Sequence, residues 1–212
     1  MKKAFCIFTT LIGILSCKYS DDGGGFSKKE RELVNEAKST MRVLTIADNQ
    51  DNAVLRASSQ DFSAEALLSS EFERLSDLMI ATVTHPSQDG VGIAGPQVGL
   101  NRRVVAVQRF DKEGEPFEVY PNIRIVWASD SLAYGPEGCL SVPDQRGEVL
   151  RSQKIVVEYA DIHALAADRT IEDRRTKGAV VPMVRDTIRG FTAVIFQHEI
   201  DHLDGILYID RL

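Results

Sequence analysis

The stretch that most restricts how this chain can fold lies near its end, at His198-Glu199-Ile200-Asp201-His202. On an α-helix, residues i and i+4 share a face. Both imidazoles can therefore bind one metal ion while Glu199, one position on, reaches a water in an open coordination position. The chain holds only 4 histidines, so two of them at this spacing are hard to credit to chance. Apolar spacing from Gly190 through Phe191, Val194 and Ile195 supports a helix, and Gly205 is a natural left-handed stop. Two histidines leave a catalytic metal site one protein ligand short. The ten residues after His202 contain neither His nor Glu, and Tyr208 stands where the long His-Glu-x-x-His-x-x-Gly-x-x-His pattern needs its last ligand. The third ligand must lie upstream, so the fold has to carry a distant segment to this helix.

The candidate is Cys139, in Gly135-Pro136-Glu137-Gly138-Cys139-Leu140-Ser141, a turn-rich segment between strand-like runs. A lone cysteine is more often a small buried apolar group. The missing ligand reverses that reading, because a metal ion would hold the thiolate well below the free thiol's pKa of roughly 8.5. A third segment, Gly90-Val91-Gly92-Ile93-Ala94-Gly95-Pro96-Gln97-Val98-Gly99, is too rich in glycine for an ordinary helix or strand and lacks the Gly-Lys-Ser/Thr ending of a phosphate loop. Glycines admit close backbone approach, and the Gln97 amide can donate to a developing oxyanion.

Around these segments the fold class reads as α+β. Phe72, Leu75, Leu78, Met79 and Val83 mark an amphipathic helix within 63–84, with Ser70 and Glu73 spaced as a capping box and a stop at His85-Pro86. Strands are expected over 103–108, 118–127 with a break at Pro121-Asn122, 154–159 and 179–184. An early helix, several strands and a late helix do not alternate as βαβ units would. With 212 residues, 43% of them hydrophobic, one domain suffices. A net charge of −6 without a basic block excludes nucleic acid.

The start of the chain reads as an address. Lys2 and Lys3 precede an uncharged run from Ala4 to Leu15, shorter than the ~20 apolar residues of a permanent span. Residues 1–16 are therefore expected to be a signal peptide. Ile14-Leu15-Ser16-Cys17 resembles the lipobox of bacterial lipoproteins, which implies lipidation of Cys17. Residues 17–40 then read as a lipidated cysteine and flexible tether, and 41–212 as the catalytic domain. Cys6 leaves with the signal and Cys17 is acylated, so Cys139 has no disulfide partner.

Taken in order, the glycine-rich stretch ending at Gln97, the Glu137-Gly138-Cys139-Leu140-Ser141 run and Gln197-His198-Glu199-Ile200-Asp201-His202 resemble the three signature motifs of peptide deformylases. The similarity extends from about Val43 to Leu212, through Ser141-Val142-Pro143-Asp144-Gln145-Arg146 and the segment following His202. It implies mixed and antiparallel sheets packed around a C-terminal metal-binding helix, and removal of the formyl group from N-formylmethionyl peptides. Cys139, His198 and His202 would hold one divalent ion, ferrous iron foremost, with zinc or nickel able to occupy the site. Glu199 would act as general base and then acid, with the Gln97 amide and the Leu140 backbone N–H stabilising the oxyanion. Val91 and Gly92 would flank the substrate, Phe191 and Val194 would help line a methionine pocket, and Arg146 and Glu137 would order the pocket.

Two departures from the family pattern stand out. Ala94-Gly95 replaces the usual Ala-Ala, a lost methyl expected to loosen packing, and the connection including Ile162 to Lys177 is expected to be a surface insertion. The signal implies a lipid-anchored protein outside the cytoplasm acting on exported or environmental formyl peptides, or a cytoplasmic one if the signal is unused. A monomer is expected. Two rivals are a metallopeptidase, which lacks its downstream ligand here, and a non-catalytic peptide-binding lipoprotein, which would be free to lose Cys139, Glu199 or Gln97. His85 and His163 receive no role.

Overall fold

A computed structural model describes residues 23–88, 90–167 and 180–212. The expected signal peptide, Cys17, residues 18–22 and positions 168–177 of the expected insertion lie outside these residues.

The first described element corrects the expectation of a flexible tether up to residue 40. Helix α1 (Lys28–Glu36) opens with a reciprocal cap: the Ser27 hydroxyl accepts from the Glu30 N–H, and the Glu30 carboxylate accepts from the Ser27 N–H at 2.7 Å. Phe26 and Val34 are buried in the same apolar cluster as Phe62 and Phe72. Glu30 also pairs with Arg102 at 2.7 Å, with both side chains largely buried. Glycine and charge dominate this segment, so its composition does not announce two anchoring apolar residues and a cap.

Helices α2 (Asn49–Leu55), α3 (Ala64–Leu67) and α4 (Ser70–Val83) follow. The single helix expected over 63–84 is thus two, and Ser69 rather than Ser70 caps α4, accepting from the Phe72 N–H at 3.2 Å. The strands then run β1 (Gly92–Ala94), β2 (Val104–Gln108), β3 (Phe117–Pro121), β4 (Arg124–Ala128), β5 (Leu132–Cys139), β6 (Val142–Ser152) and β7 (Lys154–Ala160). Helix α5 (Ile162–Ala167), strand β8 (Met183–Arg189) and helix α6 (Gly190–Leu203) complete the run before a 3-10 turn over Tyr208–Arg211. Strands pair in the orders β1-β2-β3, β4-β7-β8 and β5-β6, every ladder antiparallel. The expected break at Pro121-Asn122 is present. Asn122 has φ +53, and its amide bonds both backbone groups of Phe62.

Three expectations shift. The segment around Cys139 is a strand of the β5-β6 hairpin, and only Leu140 and Ser141 form its turn. Gly135 and Pro136 pair along one exposed ribbon and Gly138 falls at the register shift before Cys139, a pattern that apolar alternation does not mark. The strand expected over 179–184 lies at β8 instead, where Ile188 alone is buried, while Val180 is 88% exposed. Pairing with β7 defines this edge strand, not side-chain hydrophobicity. The expected insertion begins as α5, with Leu165 fully buried.

Helix α6 joins the sheets: Ala193, Phe196, Ile200 and Leu203 share one cluster with Val105 and Val107 of β2 and with Ile155 and Val157 of β7. It stops as expected, with Gly205 at φ +73, where a Cβ would lie 2.4 Å from the Arg56 carbonyl oxygen.

Candidate metal centre

The hairpin turn of β5-β6 delivers Cys139 to α6. Its Sγ lies 3.2 Å from His202 Nε2, and the ligand atoms of Cys139, His198 and His202 all lie within 4.8 Å of one another. Such a triangle suits bonds of about 2.3 Å to sulfur and about 2.0–2.1 Å to nitrogen from one ion. His198 Nδ1 sits 2.8 Å from Glu137 Oε2, and a carboxylate can only accept, so the ring donates there and presents Nε2 to the centre.

Glu137 is itself held from behind. Arg151 grips it through Nε and Nη2 at 2.7 and 3.0 Å. Burial raises the Glu137 pKa, but hydrogen bonds from His198 and Arg151 outweigh it and hold the group at about 2. Burial likewise lowers His198, yet its hydrogen bonds to Cys139 and Glu137 carry it up to about 10. Cys139 and Glu137 thus favour positive charge at that ring. Burial and the charge of His198 push His202 well below its ordinary value, leaving the neutral, metal-binding form. The donor set therefore fits a divalent ion.

Glu199 is 4% exposed and lies against the Gly92 backbone; a Cβ at Gly92 would stand 2.5 Å from its Oε1. Among the described residues its Oε2 has no hydrogen-bond partner. Burial pushes this carboxyl up to about 7; His198 opposes the shift and Glu137 adds to it. A group titrating near neutrality can both take and return a proton.

Gln97 occupies a 3-10 turn over Gly95–Val98. Its Oε1 accepts from the Ala94 N–H at 2.8 Å, which turns Nε2 toward Cys139 Sγ at 3.5 Å and Ser141 Oγ at 3.3 Å. Gly95 corrects the expectation of loosened packing. A Cβ there would lie 2.6 Å from the Arg102 carbonyl oxygen and 2.9 Å from that of Leu100, so the backbone has closed over the missing methyl.

One cleft of about 750 Å³ brings the expected residues together. Val91, Gly92, Gln97, Leu140, Cys139, His198 and Glu199 line it, together with Glu137, Arg146, Phe191 and Val194. His202 sits behind, 1% exposed. Phe191 is 58% exposed and tilts against Phe110 with ring centroids 5.4 Å apart. Tyr208 stacks on the His198 ring at 6.0 Å. His85 bonds Ser87 at the surface, and His163 is exposed on α5. Sequence reasoning gave no role to Ser141, Arg151, Asp201 or Arg211. Ser141 and Asp201 lie inside two of the motifs, which offered a sign for them, whereas Arg151 and Arg211 stand outside all three and their distance in sequence hides the contact.

A sulfur, two imidazoles and a buried carboxylate converging on a cleft in an α+β frame define a metal-dependent hydrolase. The family model described as polypeptide deformylase matches residues 42–212. A peptide deformylase of Leptospira biflexa serovar Patoc is 34% identical over 169 residues, covering 76% of this chain and 83% of that protein. The actinonin-bound crystal structure of class I type b peptide deformylase from Acinetobacter baumannii has a TM-score of 0.65 at 32% identity, covering 82% of this chain and 99% of that one. Its Met-Ala-Ser-bound counterpart has a TM-score of 0.64 at 32% identity, covering 82% and 100%. The chain belongs to the polypeptide deformylase family, whose members are metal-dependent hydrolases.

Proposed function

We infer that this chain hydrolyses the formyl amide of N-formylmethionyl peptides, releasing formate and a free N-terminal amine. The observation that carries the reading is the buried Glu199 carboxylate, whose Oε2 has no hydrogen-bond partner among the described residues, beside a Cys139, His198 and His202 ligand set. Cys139 Sγ and the Nε2 atoms of His198 and His202 would hold the ion. When bound, it supplies Lewis acidity, polarising the formyl carbonyl and acidifying water.

The remaining work belongs to the chain. Glu199 takes a proton as water oxygen bonds to the formyl carbon, and returns it to the nitrogen as the C–N bond breaks. The Gln97 amide, with its oxygen committed to Ala94, donates to the developing oxyanion, joined by the Leu140 N–H. Val91 and Gly92 flank the peptide, Phe191 and Val194 receive the methionine side chain, and Arg146 borders the peptide's far end. Peptide recognition is supported by the Met-Ala-Ser-bound relative. Formyl-Met-Ala-Ser under anaerobic Fe(II) loading tests the reading: formate release is expected, lost in Glu199→Gln with metal retained. Metal binding without turnover in the wild-type protein would leave a peptide-binding module instead.

Ferrous iron is the proposed resident ion, with zinc or nickel as substitutes, since Cys and His ligands accept all three. Metal analysis of protein isolated without oxygen decides this. We also propose an exported monomer anchored to a bacterial membrane by lipid on Cys17, acting on formyl peptides outside the cytoplasm. The charged, apolar, Ser16-Cys17 order of the chain's start supports this. Among the described residues no helix is long and apolar enough to cross a membrane. Full-length, unlipidated protein in the cytosolic fraction would remove the anchor, and sedimentation reads the oligomeric state.

A further inference from the structure

The proposed chemistry leaves a line of charged side chains behind His198 without a part. Glu137 accepts from His198 Nδ1 and is gripped by two nitrogens of Arg151. The third nitrogen, Nη1, reaches Asp201 Oδ2 at 2.6 Å. Asp201 is in turn held by Arg211 through Nε and Nη2, both at 2.5 Å. Charges alternate along the whole line. The side chains of Glu137, Arg151 and Asp201 are 5%, 4% and 12% exposed, and Arg211, at 40%, is the one member that meets solvent freely. The line ties β5, β6, α6 and the terminal 3-10 turn to a single metal-facing ring.

We propose that Arg211 is a positioning residue: by neutralising Asp201 it keeps Arg151 on Glu137, and so fixes the His198 ring for metal binding. The proposal rests on the metal reading given above. Both Asp201 oxygens are engaged by Arg211, while Arg151 reaches only one of them. Without Arg211, a largely buried carboxylate has Arg151 as its one cation among the described residues. A buried charge short of partners is costly, and the nearest relief is for Arg151 to turn from Glu137 toward Asp201. Glu137 then loses its fork, and His198 loses the oriented acceptor that sets its tautomer. Lysine in place of Arg211 would restore the charge without the two-pronged grip.

The experiment compares wild-type protein, Arg211→Gln, Arg211→Lys and His198→Ala. Two quantities are read: the Zn(II) dissociation constant by chelator competition, and the melting midpoint of the metal-free form. Arg211→Gln is expected to weaken Zn(II) about 10-fold, the low end of what partners behind metal ligands contribute. Its metal-free midpoint should fall as well, because Asp201 keeps a largely buried charge with one cation fewer, and Arg211→Lys should recover part of the affinity. A lowered metal-free midpoint with unchanged Zn(II) affinity would mark a purely structural role and overturn the proposal. Wild-type protein that binds Zn(II) no better than His198→Ala would remove the metal reading and this relay with it. Tight binding by wild type, none by His198→Ala and wild-type affinity in Arg211→Gln would overturn the relay alone.

Discussion

Gly92→Ala isolates the placement of the candidate base from its chemistry. A Cβ at this position lies 2.5 Å from Glu199 Oε1 and 2.9 Å from both Cδ and Cγ, whereas ordinary contact begins at 3.4 Å. The carboxylate must therefore retreat by about 0.9 Å. Gly92 is absent from the positive-φ residues, so the β1 backbone accepts alanine without strain. What is struck is the end of a side chain, so the fold is spared and the cost falls on geometry. A misplacement of about 1 Å in a catalytic group costs about 100-fold in rate, or about 2.7 kcal/mol in the barrier. Formate release from formyl-Met-Ala-Ser should show kcat down about 100-fold, with metal content and melting midpoint little changed. Added to Glu199→Gln, the alanine should cost almost nothing further, since both act through one carboxylate. A Gly92→Ala enzyme with near wild-type kcat, or one that loses its metal, would refute this reasoning.

Other perturbations reach the frame around the site. Gly205→Ala puts a Cβ 2.4 Å from a backbone oxygen at φ +73; the left-handed penalty of about 1–2 kcal/mol plus this clash should lower the melting midpoint by roughly 4–8 °C. Phe26→Ala, in the segment ahead of residue 41, should destabilise by about 3–5 kcal/mol in urea titrations, as a buried ring does, whereas a free tether would show no change. Stability should also fall in acid. Burial raises Glu30, yet the Arg102 hydrogen bond leaves it lowered overall, and the Arg109 hydrogen bond lowers Asp111. Folded values depressed below the unfolded ones contribute stability that is complete above the ordinary carboxylate range and lost as pH falls through the folded values. Urea midpoints that stay level from pH 7 to pH 3 would contradict it.

How far the site was legible depended on whether its residues are neighbours in sequence. His198, Glu199 and His202 share a helical turn, so spacing alone places them on one face, and the absence of a downstream ligand points back to Cys139. Gly205 announces its role through its type, since only a residue without Cβ fits a left-handed position against Arg56. Local chemistry misled where two readings compete locally: Ser69 and Ser70 are adjacent serines, and the Ser27 cap lies in a run that composition marks as a linker.

The chain's order of residues therefore determined the late helix with its candidate ligands His198 and His202 and the family motifs, because these depend on short-range periodicity and residue chemistry. Tertiary structure alone decided that α1 belongs to the body, that the Cys139 segment is a hairpin strand and that Gly95 is tightly enclosed. It also decided that Arg151, Asp201 and Arg211 converge behind His198. Each of these depends on which distant backbones meet, and packing and pairing energies between segments far apart in sequence leave no periodic mark on either segment.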